Sequence, residues 1–285
     1  MLSFRGKALP ETSLVMAIVN RTPDSFYDKG RTFGLEAALE RVDQVVAEGA
    51  HIVDIGGVKA APGAEVPAAE ETERVLPLVE AVRARHPALV ISVDTFRASV
   101  ADAVLAAGAD IVNDAWECPE PETYEVAAAH GAGVVCTHAG HQPPRTRPHR
   151  VAYRDVVADV VATLTGMAER AVAAGVPRES VLIDPGHDFG KNTRQSLLLT
   201  DRTTDLVATG WPVLMALSRK DFVGEVLDLL PDDRLEGTLA ATAVCAFQGA
   251  RVFRAHDVAA TLRVLRMVDA VRGRVEPLVN VRGLA

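Results

Sequence analysis

Cysteine is scarce in this sequence: Cys118, Cys136 and Cys245 are the three in 285 residues, odd in number and without a Cys-x-x-Cys spacing. That pattern excludes a disulfide framework and predicts thiols kept reduced in a cytoplasm. Long hydrophobic runs are also missing. No aliphatic stretch approaches the ~20 residues that span a bilayer, and the amino-terminal MLSFRGKALPETS lacks the roughly 7–15-residue apolar segment of a secretory signal. Positive charge is in short supply. Thirty Lys and Arg stand against 38 Asp and Glu, a net charge of -8. The field of the whole molecule therefore repels nucleic acid and anionic lipid, and any anion site must be a local cluster. No low-complexity linker or shift of composition marks a boundary, so residues 1–285 are expected to form a single domain. No His/Cys/Asp/Glu grouping has zinc spacing, and no Ser or Cys sits in a nucleophile elbow, which disfavours covalent catalysis.

What is present is a repeat of alternating elements. With 48% apolar and 24% charged residues, the chain can bury a substantial core. Short β-branched runs predict strands at 14–20, 52–57, 90–95, 110–114, 133–138, 181–186, 213–218 and 252–257. Between them, stretches such as 35–50, 97–109, 153–175 and 235–250 carry apolar residues at i, i+3, i+4 and i+7, the helical spacing. The strands are hydrophobic on both faces, as in a parallel sheet covered by helices, and eight βα units predict a (β/α)8 barrel. Such barrels reach this length as one unit.

The strands stop being apolar at their carboxyl ends. There stand Asn20, Asp54, Asp94, Asn113 with Asp114, His138, Asp184, Ser218 before Arg219 and Lys220, and Arg254 with His256. Barrel enzymes build their sites at this face, so these groups should converge on one mouth. Asp54 is read as a cap on the turn at Gly56 and Gly57, and Asp114 as holding a loop amide. His138 fits a binding residue and a satisfied core histidine equally. Asp94, Asn113, Asp184 and Lys220 are read as ligand-facing, because such groups near a barrel axis are costly unless paired. Arg254 and His256, two residues apart, share one face and suggest a phosphate pocket. The tract 184–192 (DPGHDFGKN) allows anion binding by loop amides, although it is not a P-loop. The turn-rich loop 20–30 reads as a lid, and the Pro-rich 140–150 as a solvated loop.

Taken together, NRTPDSF, IVDIGG…PG, ISVDT, IVND, THAG, LIDPG…FGKN, ALSRK and FRAHDV occur in the order and at the strand ends of dihydropteroate synthase, and the chain resembles that family over nearly its whole length. The resemblance implies a homodimeric (β/α)8 barrel that joins 6-hydroxymethyl-7,8-dihydropterin diphosphate to 4-aminobenzoate and releases pyrophosphate, with Mg²⁺ as its metal. It further implies a pterin site at Asp94, Asn113, Asp184 and Lys220, and a diphosphate site at Asn20, Arg254 and His256. Asn20 would also be the magnesium ligand, and catalysis would rest on Asp94, Lys220, Arg254 and His256.

The departures from the family pattern are local. After the second strand the family reads GGESTRPG, and this chain has Lys59, Ala60 and Ala61 there. A Thr and an Arg are thus both alanine. Arg21 stands where a small apolar residue is usual, His187 and Asp188 replace an aromatic and a glycine, and Ala216 replaces a glycine. The second-substrate side is altered while pterin recognition is kept, a pattern that resembles a diverged paralogue of actinobacterial type with weak or no aminobenzoate-dependent activity. Lys59 and Arg21 are candidates to replace the lost cation. A more distant alternative is the methyltetrahydrofolate:corrinoid methyltransferase, which would share the Asp/Asn grip on the pterin.

Overall fold

The computed structural model describes residues 1–22, 34–59, 61, 63–145 and 151–283. All eight expected strands are present: β1 (Leu14–Asn20), β2 (Ile52–Gly56), β3 (Val90–Asp94), β4 (Ile111–Asp114), β5 (Gly133–Thr137), β6 (Val181–Asp184), β7 (Leu214–Met215) and β8 (Val252–Ala255). They pair in parallel in the order β6-β5-β4-β3-β2-β1-β8-β7. A bridge from Ile183 to Val213 joins β6 to β7 and closes the ring. The helices are α1 (Leu35–Ala47), α2 (Ala68–Arg85), α3 (Ala98–Ala106), α4 (Glu122–Ala129), α5 (Val156–Ala173), α6 (Thr193–Asp201), α7 (Thr203–Val207), α8 (Asp221–Leu227), α9 (Leu235–Gln248) and α10 (Val258–Val271). This is the (β/α)8 barrel that the alternation predicts. Helix α5 starts later than its apolar pattern because the Asp155 carboxylate accepts the amides of Val157 and Ala158 and fixes the first turn.

Strand residues alternate between two environments, as the two-residue period requires. Val15, Ala17, Val53, Ile55, Ile91 and Val93 face outward and are buried among helical residues such as Val42, Val45, Leu78 and Val82. Leu14, Met16, Ile52, Val90, Ile111, Val135, Leu182, Leu214 and Val252 form a separate apolar layer inside the barrel. Two residues further along six of the strands the inward positions turn polar, at Asp54, Ser92, Asn113, Thr137, Asp184 and Arg254, while Ile18 and Ala216 remain apolar. That change of layer creates the site.

The amino-terminal end of the barrel is closed by an element the sequence reading did not foresee. Ser3–Phe4 and Lys7–Ala8 pair as a small antiparallel hairpin, turning through left-handed Arg5 and Gly6. Phe4 is fully buried in the inner apolar layer. It needs the glycine at the start of β5, because a Cβ on Gly133 would lie 2.5 Å from Phe4 Cδ1. Lys7 Nζ donates to Asp110 at 2.6 Å, and the Arg5 guanidinium donates to the carbonyls of Leu105 and Ala109, fastening the hairpin to the barrel rim.

Candidate active site

The polar layer is centred on Asp54. Its position two residues beyond Ile52 turns it into the barrel, where it is fully buried. Ser92 Oγ donates to it at 2.6 Å, Asn113 Nδ2 at 3.2 Å, and Arg254 Nε at 2.6 Å. Arg254 Nη2 also donates to Asp94 at 3.2 Å. These partners come from β3, β4 and β8, so the expectation that Asp54 caps the next turn is corrected: its bonds run across the barrel. A buried carboxylate is tolerable only when paired and hydrogen-bonded, and this one is both. Burial raises the Asp94 carboxyl to about 7, with Asp54, Glu71 and Asp114 adding to the effect and Arg254 opposing it. Burial works against the Arg254 guanidinium, but Asp54 and Asp94 prevail and hold it above its ordinary value.

Above this layer a cavity of about 370 Å³ opens at the carboxyl ends of the strands. Asn20, Lys59, Ala61, Asp94, Lys220, Arg254 and His256 all line it, so most of the residues singled out in the sequence meet at one place. Trp116 and Phe189 also line it, edge to face with 5.3 Å between ring centroids. His256 Nδ1 is 2.9 Å from Ser218 Oγ, which fixes the ring. Asn113 and Asp184 are 4% and 5% exposed and belong to the buried layer rather than the cavity wall. Asp184 accepts the Gly186 amide at 2.8 Å. Burial raises its carboxyl, with Lys220 the main opposing charge. Lys220 donates to the His187 carbonyl and lies 4.9 Å from the Phe189 ring centroid. Burial lowers its ammonium.

Several residues have other partners. Arg21 donates to the Arg74 carbonyl at 2.6 Å, against α2, and does not line the cavity. Of the two cations after β7, Arg219 is a fork on Asp257 at 2.8 and 3.1 Å and does not reach the mouth. The tract 184–192 offers carbonyls to a cation rather than amides to an anion. Lys191 Nζ is buried among the carbonyls of His138, Gly186 and Phe189 at 3.1, 3.0 and 2.8 Å. His138 is fully buried beside it and away from the cavity, which decides for the core reading at the mouth. The loop 140–150 is partly tied down, since Gly140 and His141 amides donate to Glu117 at 2.8 and 3.0 Å. Ala60, positions 23–30 of the expected lid and residues 146–150 lie outside the described residues.

Asp114 does hold a loop amide, that of Trp116 at 2.8 Å, while its Oδ2 is buried without a hydrogen bond among the described residues. Burial, with Glu117 and Glu120 adding to it, raises its carboxyl to about 7. A carboxyl raised on folding gives stability that is full below the unfolded value near 4 and lost as pH rises through 7. Asp114→Asn should therefore be more stable than the parent by about 1–3 kcal/mol at pH 8 and close to it at pH 4. Urea unfolding at the two pH values checks this, and a gap that does not grow with pH would refute it.

A (β/α)8 barrel with a buried Asp/Asn/Arg layer beneath an aromatic-walled mouth is matched, over residues 16–256, by the pterin binding enzyme family. The chain is 58% identical over 279 residues to inactive dihydropteroate synthase 2 of Mycobacterium tuberculosis (strain H37Rv), covering 96% of this chain and 88% of that one. It is 40% identical over 263 residues to the dihydropteroate synthase of Bacillus subtilis (strain 168), covering 92% and 89%. The solved structure of Yersinia pestis dihydropteroate synthase with a sulfonamide drug superposes with a TM-score of 0.90 at 36% identity, covering 96% of this chain and 99% of that one. The chain belongs to the dihydropteroate synthase family of pterin-binding enzymes.

Proposed function

We propose that the mouth binds 6-hydroxymethyl-7,8-dihydropterin diphosphate and joins it to 4-aminobenzoate only slowly, far below the rate of an ordinary family member. The observation that carries this reading is the cavity itself, which gathers Asp94, Lys220, Arg254 and His256 above buried Asp184 and Asn113, but has Lys59 and Ala61 on the wall after β2. A pterin edge offers an amidine-like donor pair that Asp184 accepts, while its carbonyl and ring nitrogen suit Asn113 and Lys220. Trp116 and Phe189 give the flat ring an aromatic wall. Arg254 and His256 face the diphosphate. As the bond from the pterin methylene carbon to the diphosphate oxygen breaks, the electron pair leaves with the diphosphate, and Asp94 stabilises the cationic carbon left behind. The aminobenzoate nitrogen then attacks that carbon and loses a proton.

Magnesium fits this donor set. Asn20 lines the cavity, and Gly56 leaves room for its amide oxygen, since a Cβ there would lie 3.1 Å from Oδ1. Mg²⁺ is commonly held by one or two protein oxygens plus substrate phosphates, and when bound it would neutralise charge on the departing diphosphate. A second reading, a pterin-binding protein with no acceptor turnover, is favoured by the same alanine at position 61 and by the name of the mycobacterial relative. We also read 1–285 as one domain in a homodimer, its contact made by exposed Val244, Phe247, Met267 and Val271 on α9 and α10. We also propose a cytoplasmic setting, in which the three free cysteines stay reduced.

Charge-assisted hydrogen bonds contribute roughly 1.5–3 kcal/mol each, so Asp184→Asn should weaken pterin binding at least about tenfold. Calorimetry with a dihydropterin is the check. Equal affinity of parent and variant would sink the pterin assignment.

A further inference from the structure

We propose that His138, His141 and Asp159 form a site for one divalent transition-metal ion of zinc type, separate from the mouth. The sequence THAGH after β5 sets two imidazoles three residues apart, too little for a spacing motif on its own. The fold supplies the third group. Asp155 caps α5, and Asp159 falls one turn later, its Oδ1 2.9 Å from His138 Nε2 and 3.5 Å from His141 Nε2. All three ligand atoms lie within 4.8 Å of one another. Zinc bonds of ~2.0–2.1 Å at tetrahedral angles hold ligand atoms about 3.3 Å apart, so the side chains already stand near the separation an ion requires. Two imidazoles and one carboxylate are borderline donors that suit zinc and its neighbours rather than Mg²⁺ or Ca²⁺, and they leave a fourth position open.

The surroundings fix these groups as a metal site needs. His141 Nδ1 pairs with Glu117 Oε2 at 3.0 Å, the carboxylate–histidine arrangement that orients a ligating ring. Glu117 also accepts the amides of Ala139, Gly140 and His141 at 2.7, 2.8 and 3.0 Å, clamping the loop that carries both histidines. Glu117 and His141 themselves are held in the left-handed region, at φ 63° and 56°. For residues other than glycine that conformation is unfavourable and persists where the surroundings over-determine it. Lys191 Nζ stands behind His138 and donates to Nδ1 at 2.8 Å, so Nε2 carries the ring proton toward Asp159, and an ion taken up at Nε2 displaces that proton. The Lys191 charge is shared among three carbonyls and opposed by Glu117 Oε1, 3.8 Å from His138 Nδ1. The His141 side chain is 58% exposed, so an ion reaches the site from solvent. None of the three ligands lines the mouth cavity.

The test uses the full chain, without an affinity tag and stripped with a chelator. Calorimetry should give one equivalent of Zn²⁺, and Co²⁺ should give the visible absorption of a tetrahedral site. His141→Ala, and the size-preserving Asp159→Asn, should weaken Zn²⁺ binding about 10- to 100-fold or more while circular dichroism remains that of the parent. His130→Ala, which removes an imidazole paired with Asp102 at 2.8 Å elsewhere, should leave binding unchanged. Absence of stoichiometric uptake by the parent would overturn the proposal, as would parental affinity in both ligand variants or an equal loss in His130→Ala. No pterin enters the titration, so the result is independent of the function proposed for the mouth.

Discussion

Supplied with 6-hydroxymethyl-7,8-dihydropterin diphosphate, 4-aminobenzoate and Mg²⁺, the purified protein should release pyrophosphate about 100- to 1,000-fold more slowly than the Bacillus subtilis enzyme in the same assay, the usual cost of losing one preorganised charge contact. The wall after β2 presents Lys59 and the methyl of Ala61 where the family pattern has a hydroxyl and a guanidinium. An ammonium cannot reproduce the two-pronged grip of a guanidinium on a carboxylate. Arg21, the other candidate substitute, is engaged with the Arg74 carbonyl on α2. Sulfonamides should bind poorly for the same reason. Turnover comparable to the Bacillus enzyme would mean that Lys59 alone has rebuilt the acceptor pocket, and the slow-turnover reading would then be abandoned.

Asp54→Ala should cost about 2–4 kcal/mol of stability, because it leaves the largely buried Arg254 charge with one carboxylate fewer and strips partners from Ser92 and Asn113. Adding Arg254→Met should restore part of that loss, since a buried pair replaced by apolar groups is often near neutral. Urea midpoints at unchanged m-value are the measurement. A single variant within 1 kcal/mol of the parent would show that the cross-barrel network is decoration rather than support.

The barrel was readable from residue periods because each strand and its helix carry their own pattern. The mouth was readable for a related reason: strand ends in a parallel barrel share one face, so a terminal Asp or Arg needs no tertiary knowledge to be placed there. Asp54 shows where this stopped. Its place two residues before Gly56 suggests a local cap, yet its parity with Ile52 already turns it inward, and inward polar groups bond across the barrel. The hairpin at residues 3–8 has two-residue strands, too short for any periodicity to register. His138 and His141 are three residues apart, but Asp159 joins them only through a helix cap and a loop clamp that no local spacing announces. Arg21 was placed in the mouth by its position in a loop, and a carbonyl on a neighbouring helix claimed it instead.

The buried Phe4 has a consequence for traffic. With its ring seated in the inner apolar layer, Phe4 plugs the amino-terminal end of the barrel among the described residues, so that whatever reaches the polar layer would come and go by the mouth. A ligand seated on Asp184 and Asn113 lies deeper than the residues of the wall, so any second molecule at Lys59 and Ala61 would sit above it and cork the exit. Binding would then be compulsory in order, the deep ligand first and the shallow one second. A molecule held at the rim alone would act as a stopper, slowing both entry and escape of any ligand beneath it without competing for a single one of that ligand's hydrogen bonds.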